Sequence, residues 1–168
     1  NYETVNLSSK KTKGKSTGSV TDNEIEAFTS TTATSVVVTG DADLTIGTFT
    51  AAKATSFDAS ALTGKLTLTA GSEKATYTGG SKVDTFTMAG NLTNADTING
   101  GDGKDVVTAN VSGLTVDNDD LNIQNVEAIN FVTGGDNQID AAGITGDSTV
   151  LAVTDNVQTI TNFDLAQT

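Results

Sequence analysis

The sequence contains no cysteine, histidine, tryptophan or proline, and its nine basic residues are all lysine. Without cysteine there is no disulfide framework, which suits an exported protein that does not use one, although many cytosolic proteins also lack it. Without histidine or cysteine the usual ligands of zinc and copper are missing. Without histidine a serine nucleophile also lacks the base that takes its proton. Aromatic residues make up only 5% of the chain. No apolar run is long enough to span a bilayer or to read as a signal peptide.

What is present points to a thin β structure. The 168 residues are enough for one domain with a buried core. Hydrophobic content of 36% is low for a compact globule. Val, Ile, Leu and Phe nevertheless recur at regular intervals, which disordered chains do not show. Threonine fills the gaps, as expected for a core one or two side chains wide. The net charge of −12 argues against nucleic acid, whose phosphates it would repel. From Ser81 onward thirteen carboxylates face only Lys82 and Lys104. Asp, the shorter ligand suited to tight turns, heavily outnumbers Glu. Solubility is the plain reading of this acidity, and divalent cation binding the sharper one.

The spacing of the large apolar residues sets the architecture. Leu68, Tyr77 and Phe86 are nine apart, as are Ile98, Val107 and Val116, whereas Ile46, Phe57 and Leu68 are eleven apart. A helix repeats at three and four, and a single strand at two. Steps of nine to twelve, with gaps rich in Gly, Asp and Asn, predict short strands joined by turns. Coiled as a parallel β-solenoid, such strands stack each apolar residue on its equivalents. An antiparallel sandwich is the competing architecture, but near-identical turns recur, which favours the solenoid. The expected division is an N-terminal strand, lysine-rich loop and short helix over 1–34, then solenoid over 35–168.

The turns carry the chemistry. Gly100-Gly101-Asp102-Gly103-Lys104-Asp105-Val106-Val107-Thr108 meets every position of the nonapeptide pattern G-G-x-G-x-D-x-U-x, where U is large and apolar. The nine residues from Gly79 to Thr87 meet it except at Lys82, which stands where glycine is expected. Glycine permits the positive φ of a tight turn. Asp84 and Asp105 are twenty-one residues apart, one full coil on this reading. Their carboxylates and nearby carbonyls would then enclose a cation between coils. Six to eight oxygens at roughly 2.3–2.6 Å suit Ca²⁺, whereas Mg²⁺ retains its waters. Asp96, with Asp117 a further twenty-one residues on, predicts a weaker second site on the opposite edge.

These turns resemble the RTX (repeat-in-toxin) family of secreted proteins with calcium-binding nonapeptides. The resemblance implies a right-handed parallel β-roll, calcium held between turns, and export through a type I secretion channel. It implies carboxylate ligands from Asp84 and Asp105 and carbonyl ligands from Gly79, Ser81, Gly101 and Gly103. Asp102, at a variable position, either adds a ligand or faces water. The specific motif spans Gly79 to Ala109. The surrounding texture, including "SFDASALTGKLTLTAG" and "NVEAINF", is similar to the bacterial surface-layer (S-layer) branch of that family.

Other patterns carry less. "GKSTG" from Gly14 to Gly18 imitates a nucleophile elbow, but the chain has no histidine. Ser9 stands where a P-loop needs its first glycine, and "DNDDLN" lacks the sixth-position glycine of an EF-hand. Catalysis is not expected. Ser8 to Ser19 reads as a solvated lysine-rich loop, or as a contact for lipopolysaccharide or an acidic subunit. Thr21-Asp22-Asn23-Glu24 fits a capping box and predicts a short helix through Ile25 to Phe28. Echoes of "YETVNL" in "VEAINF", and of "FDASALTG" in "IDAAGITG", suggest a fragment of a longer array.

The functional expectation is a structural module of a secreted, calcium-stabilised surface-layer protein that self-assembles on the cell surface. Two alternatives are a segment of an adhesin or biofilm protein, and the non-catalytic β-roll of a secreted protease or lipase.

Overall fold

A computed structural model of the chain describes residues 3–11, 22–88, 92–110, 121–132, 137–146, 150–154 and 157–161. Its strands alternate between two sheets. Sheet A contains β1 (Glu3–Ser9), β4 (Ala33–Gly40), β6 (Ser56–Leu62), β8 (Thr76–Thr78), β10 (Thr97–Asn99), β12 (Asn122–Gln124) and β15 (Ile144–Thr145). Sheet B contains β2 (Asn23–Ile25), β3 (Phe28–Ser30), β5 (Leu44–Ala51), β7 (Leu66–Ala70), β9 (Thr85–Met88), β11 (Val106–Asn110), β13 (Ala128–Val132) and β16 (Val150–Thr154). A separate pair joins β14 (Asn137–Asp140) to β17 (Val157–Thr161). Every pairing among the described residues is parallel, so the chain is a β-solenoid and not a sandwich.

Strand alternation explains the core. In β7 and β9 every second side chain is buried and the threonines between them are partly exposed. One inward column runs Val36, Phe57, Tyr77, Ile98, Ile123 through sheet A, and another runs Ile46, Leu68, Phe86, Val107, Ile129 through sheet B. Each apolar residue rests on its counterpart one coil away, and full burial of each such side chain contributes about 1.5–3 kcal/mol. The steps of nine and eleven in the sequence are therefore half-coils. Near one end the core is aromatic: Phe28 stacks on Phe49 at 5.3 Å, and Phe49 meets Phe57 edge-on at 5.2 Å.

Two expectations change. No helix forms at Ile25 to Phe28; β2 and β3 occupy this stretch, pairing Ile25 with Ile46 and Phe28 with Phe49. A helix of one or two turns is marginal alone, and the edge of β5 offers the same amides a ladder while the two apolar residues cover the core. β4 spans the position between residues 34 and 35. The coil length is also not constant. Ile98 pairs with Ile123, twenty-five residues on, so the slot stacked after Asp96 is occupied by buried Leu121. Asp117 lies outside the described residues. Among the described residues no helix is long and apolar enough to cross a membrane.

Candidate metal centre

The Asp of each motif stands two residues before an inward apolar residue: Asp84 before Phe86, Asp96 before Ile98, Asp105 before Val107. A period of two places both side chains on the same inward face. The carboxylates are accordingly fully buried at the rim of the core. Buried carboxylates need hydrogen-bond donors, and the neighbouring coil supplies them.

The amide of Leu66 donates to Asp84 Oδ1 at 2.7 Å, and that of Gly80 donates to Oδ2 at 2.5 Å. One coil further, the amide of Asp84 donates to Asp105 Oδ1 at 2.7 Å. The amide of Asp105 in turn donates to Glu127 Oε2 at 2.5 Å. Each acid on this edge thus caps the backbone of the coil before it. On the opposite edge Asp96 Oδ1 accepts from the Ala75 amide at 3.1 Å, and its Oδ2 accepts from Thr93. Glu73 Oε1 accepts from Ala51 there at 2.7 Å.

The two motif turns lie directly on one another. Asp102 donates its amide to the Gly80 carbonyl at 3.1 Å, and Val106 donates to the Asp84 carbonyl at 2.9 Å. Gly101 and Gly103 have φ of +94° and +150°, as the pattern requires. Gly79 does not have positive φ; a Cβ there would stand 2.1 Å from the Gly100 carbonyl oxygen and 2.6 Å from Asp84 Oδ2. Its glycine is demanded by close approach. Lys82 is likewise outside the positive-φ region, so its side chain is accommodated where Gly103 stands one coil on.

One atom in this stack is left over. Among the described residues, Asp105 Oδ2 is buried with no hydrogen-bond partner, and only Glu73 Oε2 shares that condition. Burial pushes the Asp105 carboxyl up to about 7, against the pull of the Asp84 amide, and the charges of Asp84, Glu127 and Asp102 add to the rise. Burial also raises Asp84, opposed by its two amides and by Lys65. An orphan carboxylate oxygen in such surroundings calls for a proton or a cation.

The expected ligands are therefore partly gathered. Asp84 and Asp105 are on adjacent coils. Gly79, Ser81, Gly101 and exposed Asp102 line one polar groove of about 310 Å³ on the outer side of the same turns, together with Asn99. Gly103 stands apart from this groove, against the Lys82 carbonyl. Asp96 is on the other edge. Among the described residues no three acidic side chains converge as a ligand set. A cation at these turns would draw most of its oxygens from the backbone, which suits Ca²⁺.

The sequence reading missed Glu127 and Glu73 as clamps. Glu127 carried a visible signal, because it precedes inward Ile129 by two residues as the aspartates precede theirs. Glu73 carried none. No protein-family model, curated protein or solved structure matches the chain.

Proposed function

We propose that the chain is a non-enzymatic structural module of a secreted, calcium-stabilised bacterial surface protein of the S-layer type, built to self-assemble outside the cell. The parallel solenoid supports this reading, and the orphan Oδ2 of buried Asp105 is the observation that carries it. Asp105, with Asp84 on the adjacent coil, would supply carboxylate charge to Ca²⁺ at these turns, and bound calcium would neutralise the repulsion along this edge. Binding free energy then adds to folding free energy. Low cytosolic calcium would leave the chain open for export, and external calcium would close the coils. Exposed Lys10 and Lys11 at the end of β1 offer a contact for the anionic groups of lipopolysaccharide.

Thermal melts of the protein with calcium and with a chelator test the proposal. The expected result is a rise in melting temperature with calcium that Asp105→Asn abolishes. Equal melting of the native protein in both conditions overturns it.

A further inference from the structure

The charges of this acidic chain are not spread over its surface. Among the described residues most lie on the two edges where the coils turn; on the outer face of sheet B the end strand β2 carries exposed Glu24, beside Thr45, and the strands from β5 to β13 carry none. Thr45, Thr67 and Thr85 form one outward column there, and Thr69, Thr87 and Thr108 form the next. The face continues through Ala128, Asn130 and Val132 of β13. Soluble surfaces are about 25–35% charged, so about a dozen outward positions would ordinarily carry three or four charges. From β5 to β13 they carry none. The outer face of sheet A differs, because Asp58 sits in its middle, between Val37 and Thr78.

We infer that the outer face of sheet B is the contact through which a second copy of this chain packs, sheet against sheet. The inference deepens the proposed self-assembly and rests on that reading. Charge selects both the face and the occupant. Two copies of a −12 chain repel wherever their edges meet, and burying an unpaired carboxylate is strongly unfavourable. Sheet B to sheet B over β5 to β13, with Glu24 of β2 left outside the contact, is the approach that buries no charge and leaves the acidic edges in solvent, where cations screen them. Val132, one of two large apolar side chains exposed among the described residues, at 41%, lies at the rim of this face. A sugar polymer fits less well, because among the described residues the face from β5 to β13 presents no aromatic ring for stacking: Phe49, Phe86 and Phe131 are buried.

Size sets the strength. Strands about 4.8 Å apart and residues rising about 3.3 Å make the face from β5 to β13 roughly 24 by 16 Å. That is on the order of 400 Å² per copy, half the roughly 800 Å² of a standard partner surface. The contact is weak singly and gains strength when repeated in an array.

Absence of cysteine makes cross-linking a clean test. Thr87→Cys is placed at the centre of the sheet B face and Thr97→Cys on sheet A, and each protein is treated in calcium with a flexible bis-maleimide. The expected result is dimer formation at least several-fold faster for Thr87→Cys, suppressed when Val132→Glu is added. Thr69→Cys replaces Thr87→Cys should circular dichroism show that variant unfolded. Equal rates from the two sheets, or no effect of Val132→Glu, overturn the inference. Failure here leaves the calcium proposal standing, because that depends on melting with and without the ion; loss of the calcium effect with the sheet B contrast intact sinks only the other.

Discussion

The backbone amide of Asp84 donates to the Oδ1 of Asp105 across one coil, at 2.7 Å. Each of these residues is thus both donor and acceptor in a series that runs from Leu66 to Glu127. A motif aspartate has two roles here: it closes the backbone of its neighbour, and it brings negative charge to a buried edge. Substitutions separate the two.

Asp105→Asn keeps an oxygen for the Asp84 amide and removes the charge. In chelator its melting temperature should equal or exceed that of the native protein, because a buried charge is gone. In calcium the gain should vanish. A calcium-induced rise as large as the native one would place the ion elsewhere.

Asp84→Ala removes the acceptor as well and leaves the amides of Leu66 and Gly80 unpaired. Each buried orphan costs about 1–3 kcal/mol. Chemical denaturation should show this loss with chelator present as well as with calcium. Full stability in chelator would mean that the hydrogen bonds contribute nothing.

The Asp105 carboxyl, raised by burial to about 7 from an ordinary value near 3.8, holds its proton more tightly folded than unfolded. Its contribution to stability is therefore greatest below the unfolded value and is lost as pH rises toward 7. In chelator, stability from this site should fall between about pH 4 and 7, and Asp105→Asn should flatten that fall. Calcium competes with the proton, so its effect should grow across the same interval. A calcium effect that does not change with pH would contradict the assignment.

Gly79→Ala forces a Cβ to 2.1 Å from the Gly100 carbonyl oxygen, and backbone must move to relieve it. Lys82→Ala changes nothing but an exposed side chain. The first should cost several-fold more stability than the second, which should stay within about 0.5 kcal/mol of native. Urea melts of the pair decide it, and equal losses would refute the stacking of these turns.

Phe57→Ala empties a site between Phe49 and Tyr77 that neighbouring coils fill. A loss of about 3–5 kcal/mol is expected. A loss below about 1 kcal/mol would mean that the column collapses to fill the space.

Much of this architecture was legible in residue spacing. Leu68, Tyr77 and Phe86 announced alternating sheets, and Asp84 and Asp105 announced a coil of twenty-one, because an inward column tolerates little drift in register. The capping box of Thr21-Asp22-Asn23-Glu24 predicts a short helix that does not form, because the edge of β5 that captures Ile25 and Phe28 is distant in sequence. Sequence echo and stacking partner are separate matters. Phe57 heads "FDASALTG", yet its column continues to Ile144, not to Ile139 of the echo.

By itself the sequence determined that apolar residues would stack in narrow columns and that acidic turns would punctuate them, since strand period and turn chemistry are local properties. Only the tertiary structure decided which amide each carboxylate would meet, which oxygen would be left without a donor, and where the coil would lengthen. Those outcomes depend on the backbone of the next coil, whose distance along the chain varies from turn to turn.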